Sequence, residues 1–342
     1  MKAVVVREPG QAEIAELVKP VRAEGEALLE VLYAGICGSD MGLYKGHMTG
    51  YASYPRIPGH ELAARIVDID EDNEYGLKKD MIVTVNPYFN CGTCYSCRRG
   101  YVNCCVDNKT MGLAREGVFA QYITMPLHRI YDGKGLDPVS LALIEPFCIS
   151  YHAVKRANVK PGERVLVVGS GTIGIFAMMA AKIFGAEVTI CDVLETKLAK
   201  AMTFGADHYI LNDDNSKFAD KVKETTNGDG FDVAIEAVGF PSTLMNCVDA
   251  VASVGRIVEV GIGSKTLDFQ YNIIQKKEIS MMGSRNALRE DFEELIQMAN
   301  EGKFDLKALV TAVVDYTEAP DTFKSLAANA EKNIKTLVKF ND

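Results

Sequence analysis

From Glu163 onward the chain alternates short apolar runs with segments of helical period. The runs are "RVLVVG", "EVTICD", "FDVAIEAVG", "GRIVEVG" and "EISMMGS". Apolar strands spaced by helices predict a parallel sheet covered on both faces. Up to about Pro146 the texture differs: glycine and proline are dense, and the apolar runs are short and β-like, as in "ALLEVLYAGI" and "MIVTVNPY". That pattern predicts an irregular β-rich lobe. After Ser284, "REDFEELIQMANEG" and "APDTFKSLAANAEKN" read as amphipathic helices and "IKTLVKF" as a closing strand. No internal repeat or low-complexity tract interrupts this order.

Length and charge sharpen the picture. A chain of 342 residues is too long for one hydrophobic core, so two lobes are expected, and 48% apolar residues suit a soluble globule. The formal net charge of −9, with no lysine or arginine run longer than two, argues against a nucleic acid or an anionic membrane as partner and favours a small-molecule ligand. The N-terminal "MKAVVVREPG" holds only a four-residue apolar run before Arg7, too short for a secretory signal, so a cytoplasmic protein is expected. The longest uncharged run, Val165 to Ala181, falls short of a membrane span and carries three glycines; it reads as a buried strand, a tight turn and a buried helix. Nine cysteines in such a chain point to thiolate chemistry rather than disulfides.

That glycine-bearing turn is the first candidate site. "VLVVGSGTIG" supplies Gly169, Gly171 and Gly174 in G-x-G-x-x-G register, with Thr172 and Ile173 between the last two. Gly169 permits the tight turn, Gly171 lets the backbone approach a pyrophosphate, Gly174 lets helix and strand pack closely, and the helix N-terminus presents its amides to the anion. The next strand ends on Asp192, about twenty residues downstream, where a carboxylate accepts from ribose hydroxyls. A 2′-phosphate would sit beside that charge, and Val193 and Leu194 offer no cation. The expected cofactor is therefore NAD rather than NADP.

Two metal sites follow from the cysteines. "CGTCYSCRRGYVNCC" places Cys91, Cys94, Cys97 and Cys105 in the pattern C-x2-C-x2-C-x7-C, in a lobe over about 88–108. Four thiolates close a tetrahedron and leave no open position, so this zinc would be structural. Cys104 rivals Cys105 as the fourth ligand, and Arg98 and Arg99 would temper the negative charge. Elsewhere "GICGSD" brings Cys37, Ser39 and Asp40 ahead of the adjacent His60 and Glu61 in "GHE", and "ALIEPF" places Glu145 just before a helix. A thiolate, an imidazole and a carboxylate suit a zinc with one position left for substrate, and Asp40 would orient His60.

The strings "GICGSD", "GHE", "CGTCYSC", "EPF" and "GSGTIG", in that order across essentially the whole chain, resemble the zinc-dependent medium-chain dehydrogenases, the alcohol, sorbitol and threonine dehydrogenase superfamily. The resemblance implies an α/β architecture: a Rossmann doubly wound parallel sheet plus a β-rich GroES-like catalytic domain. It divides the chain into a catalytic domain over 1–148, an NAD-binding domain over 149–284 and a C-terminal return over 285–342. It further implies two zinc ions per chain, one catalytic and one structural, and a homo-oligomer, tetramer or dimer. By it Cys37 and His60 are catalytic zinc ligands with Glu61 and Glu145 in the remaining places, as in polyol-type members, and which glutamate binds is open. Zinc lowers the pKa of a bound alcohol, whose alkoxide expels hydride to the nicotinamide, while Ser39 takes the alcohol proton. Many members carry a relay histidine five residues after the first cysteine. Here Gly42 stands there, and the proton would leave through water, a ribose hydroxyl or His47.

"EISMMGSRNA" leaves the last sheet strand at Arg285 and Asn286, and in polyol-type relatives an arginine here contacts cofactor or substrate. A guanidinium grips pyrophosphate or carboxylate bidentately. The expected activity is oxidation of a secondary alcohol in a polyol or in a sugar acid such as a hexonate. A threonine or amino-alcohol substrate, and a nicotinamide-binding sensor without turnover, are the alternatives.

Overall fold

The computed structural model describes residues 1–48, 50–329 and 333–341. The chain forms two compact units, Met1–Glu145 with Leu288–Asp342, and Pro146–Ala287.

In the first unit the described residues form a seven-stranded sheet in the order Val310–Asp315, Lys335–Lys339, Glu26–Gly35, Glu61–Asp68, Ile82–Val85 and Ile130–Asp132, with Tyr122–Pro126 also paired to Glu26–Gly35. Glu26–Gly35 is the organising strand: Leu29, Val31 and Ala34 are fully buried, and both chain halves pair with it. Its last residue, Gly35, lies opposite Glu61 on one side and Leu337 on the other. The "IKTLVKF" segment is thus Lys335–Lys339, as its apolar pattern predicted, and a hairpin of Lys2–Glu8 with Gln11–Glu16 lies outside the sheet. Behind the sheet, Phe323 of helix Ala319–Ala328 is fully buried, edge-on to Phe119 at 5.8 Å and 5.6 Å from Tyr44. The rest of the sequence expected as that helix runs on to residues 330–332, which lie outside the described residues.

In the second unit six parallel strands, Arg164–Val168, Glu187–Asp192, His208–Leu211, Phe231–Glu236, Val251–Glu259 and Ser280–Gly283, take the spatial order 3-2-1-4-5-6 in chain sequence. This is the doubly wound Rossmann order, with the strand order reversing at the first strand. Helix Thr172–Ile183 buries every residue from Gly174 to Ala181, which explains the long uncharged run. It is a core helix: no helix among the described residues is long and apolar enough to cross a membrane.

Phe323 fills the space between Tyr44 and Phe119, so truncation leaves a cavity that the surrounding strands cannot close. Phe323→Ala is expected to lower the unfolding free energy by about 3–5 kcal/mol, read from the shift of the urea midpoint.

Candidate active site

Cys37 follows the strand Glu26–Gly35 and caps the short helix Gly38–Tyr44. His60 and Glu61 open the neighbouring strand Glu61–Asp68. The register Gly35–Glu61 brings these segments side by side, and one ligand atom each of Cys37, His60 and Glu61 lies within 4.8 Å of the others. Glycine at position 35 is required by space: a Cβ there would stand 2.0 Å from Glu61 Oε2. His60 is 6% exposed and Glu61 is fully buried. Such a donor set, sulfur, nitrogen and oxygen gathered at the ends of two paired strands, fits a zinc ion.

Asp40 does not hydrogen-bond His60 as expected. Its Oδ2 accepts from the Cys37 amide at 2.8 Å and its Oδ1 from the Gly59 amide at 2.8 Å, while His60 Nδ1 stays 4.0 Å away. Asp40 therefore clamps the two backbone segments that carry Cys37 and His60, because a capping carboxylate satisfies amides before a side chain. Burial pushes its carboxyl up. Burial opposes protonation of His60, but the Cys37 sulfur and the Asp40 carboxylate outweigh it and push the imidazole well above its ordinary value.

Glu145 sits within the first turn of helix Ile144–Ala157 rather than ahead of it, and is 2% exposed. It falls outside the close group of Cys37, His60 and Glu61. Tyr88 donates its hydroxyl hydrogen bond to Glu145 Oε1. Burial raises the Glu145 carboxyl to about 7, with His60 opposing and Glu61 reinforcing the shift, so Glu145 feels both neighbours.

Sequence reasoning missed Lys335. Its ammonium meets both oxygens of Glu61 at 2.7 Å and is 2% exposed; burial disfavours its charge, but Glu61 more than compensates and raises its pKa. The signal available was a lysine directly after Ile334 in "IKTLVKF", a segment that also carries Thr336 and Lys339. Ser39 Oγ is buried with no hydrogen-bond partner among the described residues. Gly42 packs against Met48, whose Sδ would lie 3.2 Å from a Cβ there, and His47 is exposed in the turn that follows.

The sulfurs of Cys91, Cys94, Cys97 and Cys105 all lie within 4.8 Å of one another, a set that suits a closed structural zinc. Cys104 is exposed and outside the cluster, to which Cys105 contributes the fourth sulfur. Amides turn toward the sulfurs: Cys91 N donates to Cys105 Sγ at 3.2 Å and Cys94 N to Cys91 Sγ at 3.3 Å. A Ser96 hydroxyl and the Cys97 amide draw the Cys94 thiol down to about 5, while burial lifts Cys105 to about 11. Arg98 donates to the Thr93 carbonyl and Arg99, at 2.7 Å, to Tyr95 Oη.

In the second unit, Gly169 adopts φ +102° and Gly174 would place a Cβ 1.8 Å from the Gly169 carbonyl, whereas a Cβ at Gly171 meets nothing within 4 Å. The turn, the tight packing and the open approach are thus the three glycine roles the motif assigns. Thr172 and Ile173 begin the helix. Asp192 ends its strand, and its Oδ2 accepts from both the amide (2.8 Å) and the hydroxyl (2.7 Å) of Ser170, a partner the sequence reading passed over. Arg285 is exposed two residues beyond strand Ser280–Gly283, followed by Asn286 at φ +50°.

Two outcomes test this geometry. Cys105→Ser should lower bound zinc by about one equivalent per chain in elemental analysis, whereas Cys104→Ser leaves it unchanged. Lys335→Met strands the buried Glu61 carboxylate and should cost about 3–5 kcal/mol in chemical denaturation.

Residues 23–134 match the alcohol dehydrogenase GroES-like domain and residues 172–301 the zinc-binding dehydrogenase family. L-galactonate-5-dehydrogenase of Escherichia coli K12 is 33% identical over 99% of each chain, and sorbitol dehydrogenase of Halalkalibacterium halodurans is 32% identical over 91% of this chain and 92% of its own. The crystal structure of a short chain alcohol dehydrogenase from E. coli CFT073, complexed with the cofactor NADH, superposes with a TM-score of 0.91 at 29% identity over 99% of each chain. On these matches the chain belongs to the zinc-dependent alcohol dehydrogenase superfamily.

Proposed function

We propose that this dehydrogenase oxidises a secondary alcohol of a sugar acid, a hexonate, or of a related polyol, with NAD as acceptor. The observation that carries the reading is the thiol of Cys37 beside the buried imidazole of His60, with the Glu145 carboxylate near enough to feel the charges of His60 and Glu61. Cys37, His60 and Glu145 would hold the ion, because both oxygens of Glu61 are already engaged by Lys335. When bound, zinc lowers the pKa of an alcohol and NAD takes the hydride.

The chain's own residues supply the rest. Ser39 Oγ, buried and without a hydrogen-bond partner among the described residues, would take the alcohol proton while passing its own on to water or a ribose hydroxyl. Asp40 keeps Cys37 and His60 in place through their backbone. At the nucleotide, the free face of Gly171 admits a pyrophosphate at the N-terminus of helix Thr172–Ile183, and Asp192, oriented by Ser170, favours ribose hydroxyls over a 2′-phosphate. Arg285 is proposed to contact cofactor or substrate. The hexonate preference is supported by the 33% identity to an L-galactonate-5-dehydrogenase. A cluster of four free thiols suits a reducing compartment, so we place the protein in the cytoplasm, as a homo-oligomer of two or four chains.

The test is NADH formation across aldonates, polyols and hydroxy amino acids. Aldonate or polyol turnover should exceed that of hydroxy amino acids, NAD should outperform NADP, and Cys37→Ala should lose at least about 10³-fold in rate while NAD still binds. A panel without turnover, or turnover untouched by Cys37→Ala, would leave a nicotinamide-binding protein in place of an enzyme.

A further inference from the structure

Tyr88 and Arg129 have no role in the reading above, yet both are only 6% exposed. Tyr88 donates its hydroxyl to Glu145 Oε1. Its own carbonyl accepts from Arg129 Nη1 at 2.6 Å, and Arg129 Nη2 donates to Asn90 Oδ1 at 2.8 Å. The same guanidinium lies 4.4 Å from the Phe89 ring centroid, with Arg115 3.9 Å from it. Asn90 in turn directs its amide toward Cys97 Sγ at 3.8 Å. One planar group thus holds three consecutive residues, 88, 89 and 90, by a carbonyl, a ring and a side-chain amide. Cys91, the first sulfur of the thiolate cluster, comes next.

Burying a guanidinium is costly, and here its hydrogen bonds go to neutral oxygens rather than to a carboxylate. Charge neutralisation does not account for that arrangement. Geometry does: a rigid fork fixes two acceptors two residues apart on an extended segment, which a flexible ammonium does not. What the fork fixes is the position of the Tyr88 phenol. With Oε1 of Glu145 occupied by that phenol, Oε2 is the oxygen left to face a cation, and the carboxylate cannot rotate freely.

We propose that Tyr88 is a positioning residue for Glu145, held by the clamp of Arg129 on residues 88–90, and that this clamp ties the thiolate lobe to the carboxylate of the candidate metal centre. The proposal rests on Glu145 being a ligand, as read above.

The experiment is zinc release from the holoenzyme to a chromophoric chelator, followed as two phases. Tyr88→Phe, which removes only the hydroxyl, should speed one phase about 10–100-fold and leave the other and the melting temperature unchanged. Its cobalt-substituted form should show a shifted visible spectrum. Arg129→Lys should give the same fast phase, and the double variant should be no faster than Tyr88→Phe alone. Parental release and an unshifted cobalt spectrum in Tyr88→Phe overturn the proposal. Glu145→Gln, run alongside, separates the causes. If it loses one zinc while Tyr88→Phe does not, only the clamp fails; if it too keeps parental release, the ligand reading falls and the clamp with it.

Discussion

The structure of the first unit depends on the burial of charge. Asp40, Glu61 and Glu145 are each at most 2% exposed, within one neighbourhood of a thiol and an imidazole. Buried carboxylates are costly unless each oxygen has a partner. Asp40 is satisfied by two backbone amides, Glu61 by the Lys335 ammonium and one oxygen of Glu145 by the Tyr88 hydroxyl. Each partner is a different kind of donor, and together they leave the Cys37 and His60 ligand atoms unengaged by these carboxylates. A divalent cation is the group whose charge and ligand preference suit what remains.

These partners meet because of sheet register. The strand Glu26–Gly35 has the chain's last strand on one side and Glu61–Asp68 on the other, so residues from the beginning and the end of the sequence flank Gly35. The missing side chain at Gly35 is the space that the Glu61 carboxylate occupies. One glycine therefore links fold and site: the strand closes the core along its length, and its end makes room for a buried ion pair.

The second unit solves a different problem with the same economy of contacts. Its first helix must begin close against the first strand while leaving its amides open to an anion. Gly174 lets the helix approach the Gly169 carbonyl, and the open face at Gly171 keeps the approach clear. Ser170, between those glycines, closes on Asp192 with both its amide and its hydroxyl. The loop that would cradle a pyrophosphate and the acid that would read the ribose are thereby held as one piece.

Read alone, the sequence determined the parallel sheet, the glycine turn and its terminal acid, and the set from which the four thiolates are drawn. Periodicity and close spacing are local properties, written within a few residues of one another. It also supplied Cys37, Ser39, His60, Glu61 and Glu145 as candidates, by the order of short motifs. Only the tertiary structure places Cys105 rather than Cys104 among the clustered sulfurs, because adjacent residues differ in direction and not in spacing. It alone revealed Lys335 as the partner of Glu61, Tyr88 as the partner of Glu145, and Asp40 as a clamp on backbone rather than on imidazole. A lysine in a strand and a tyrosine beside a proline carry no periodic signal. Their roles come from register and burial, which place side chains far apart in the chain against one carboxylate, and no local pattern encodes that.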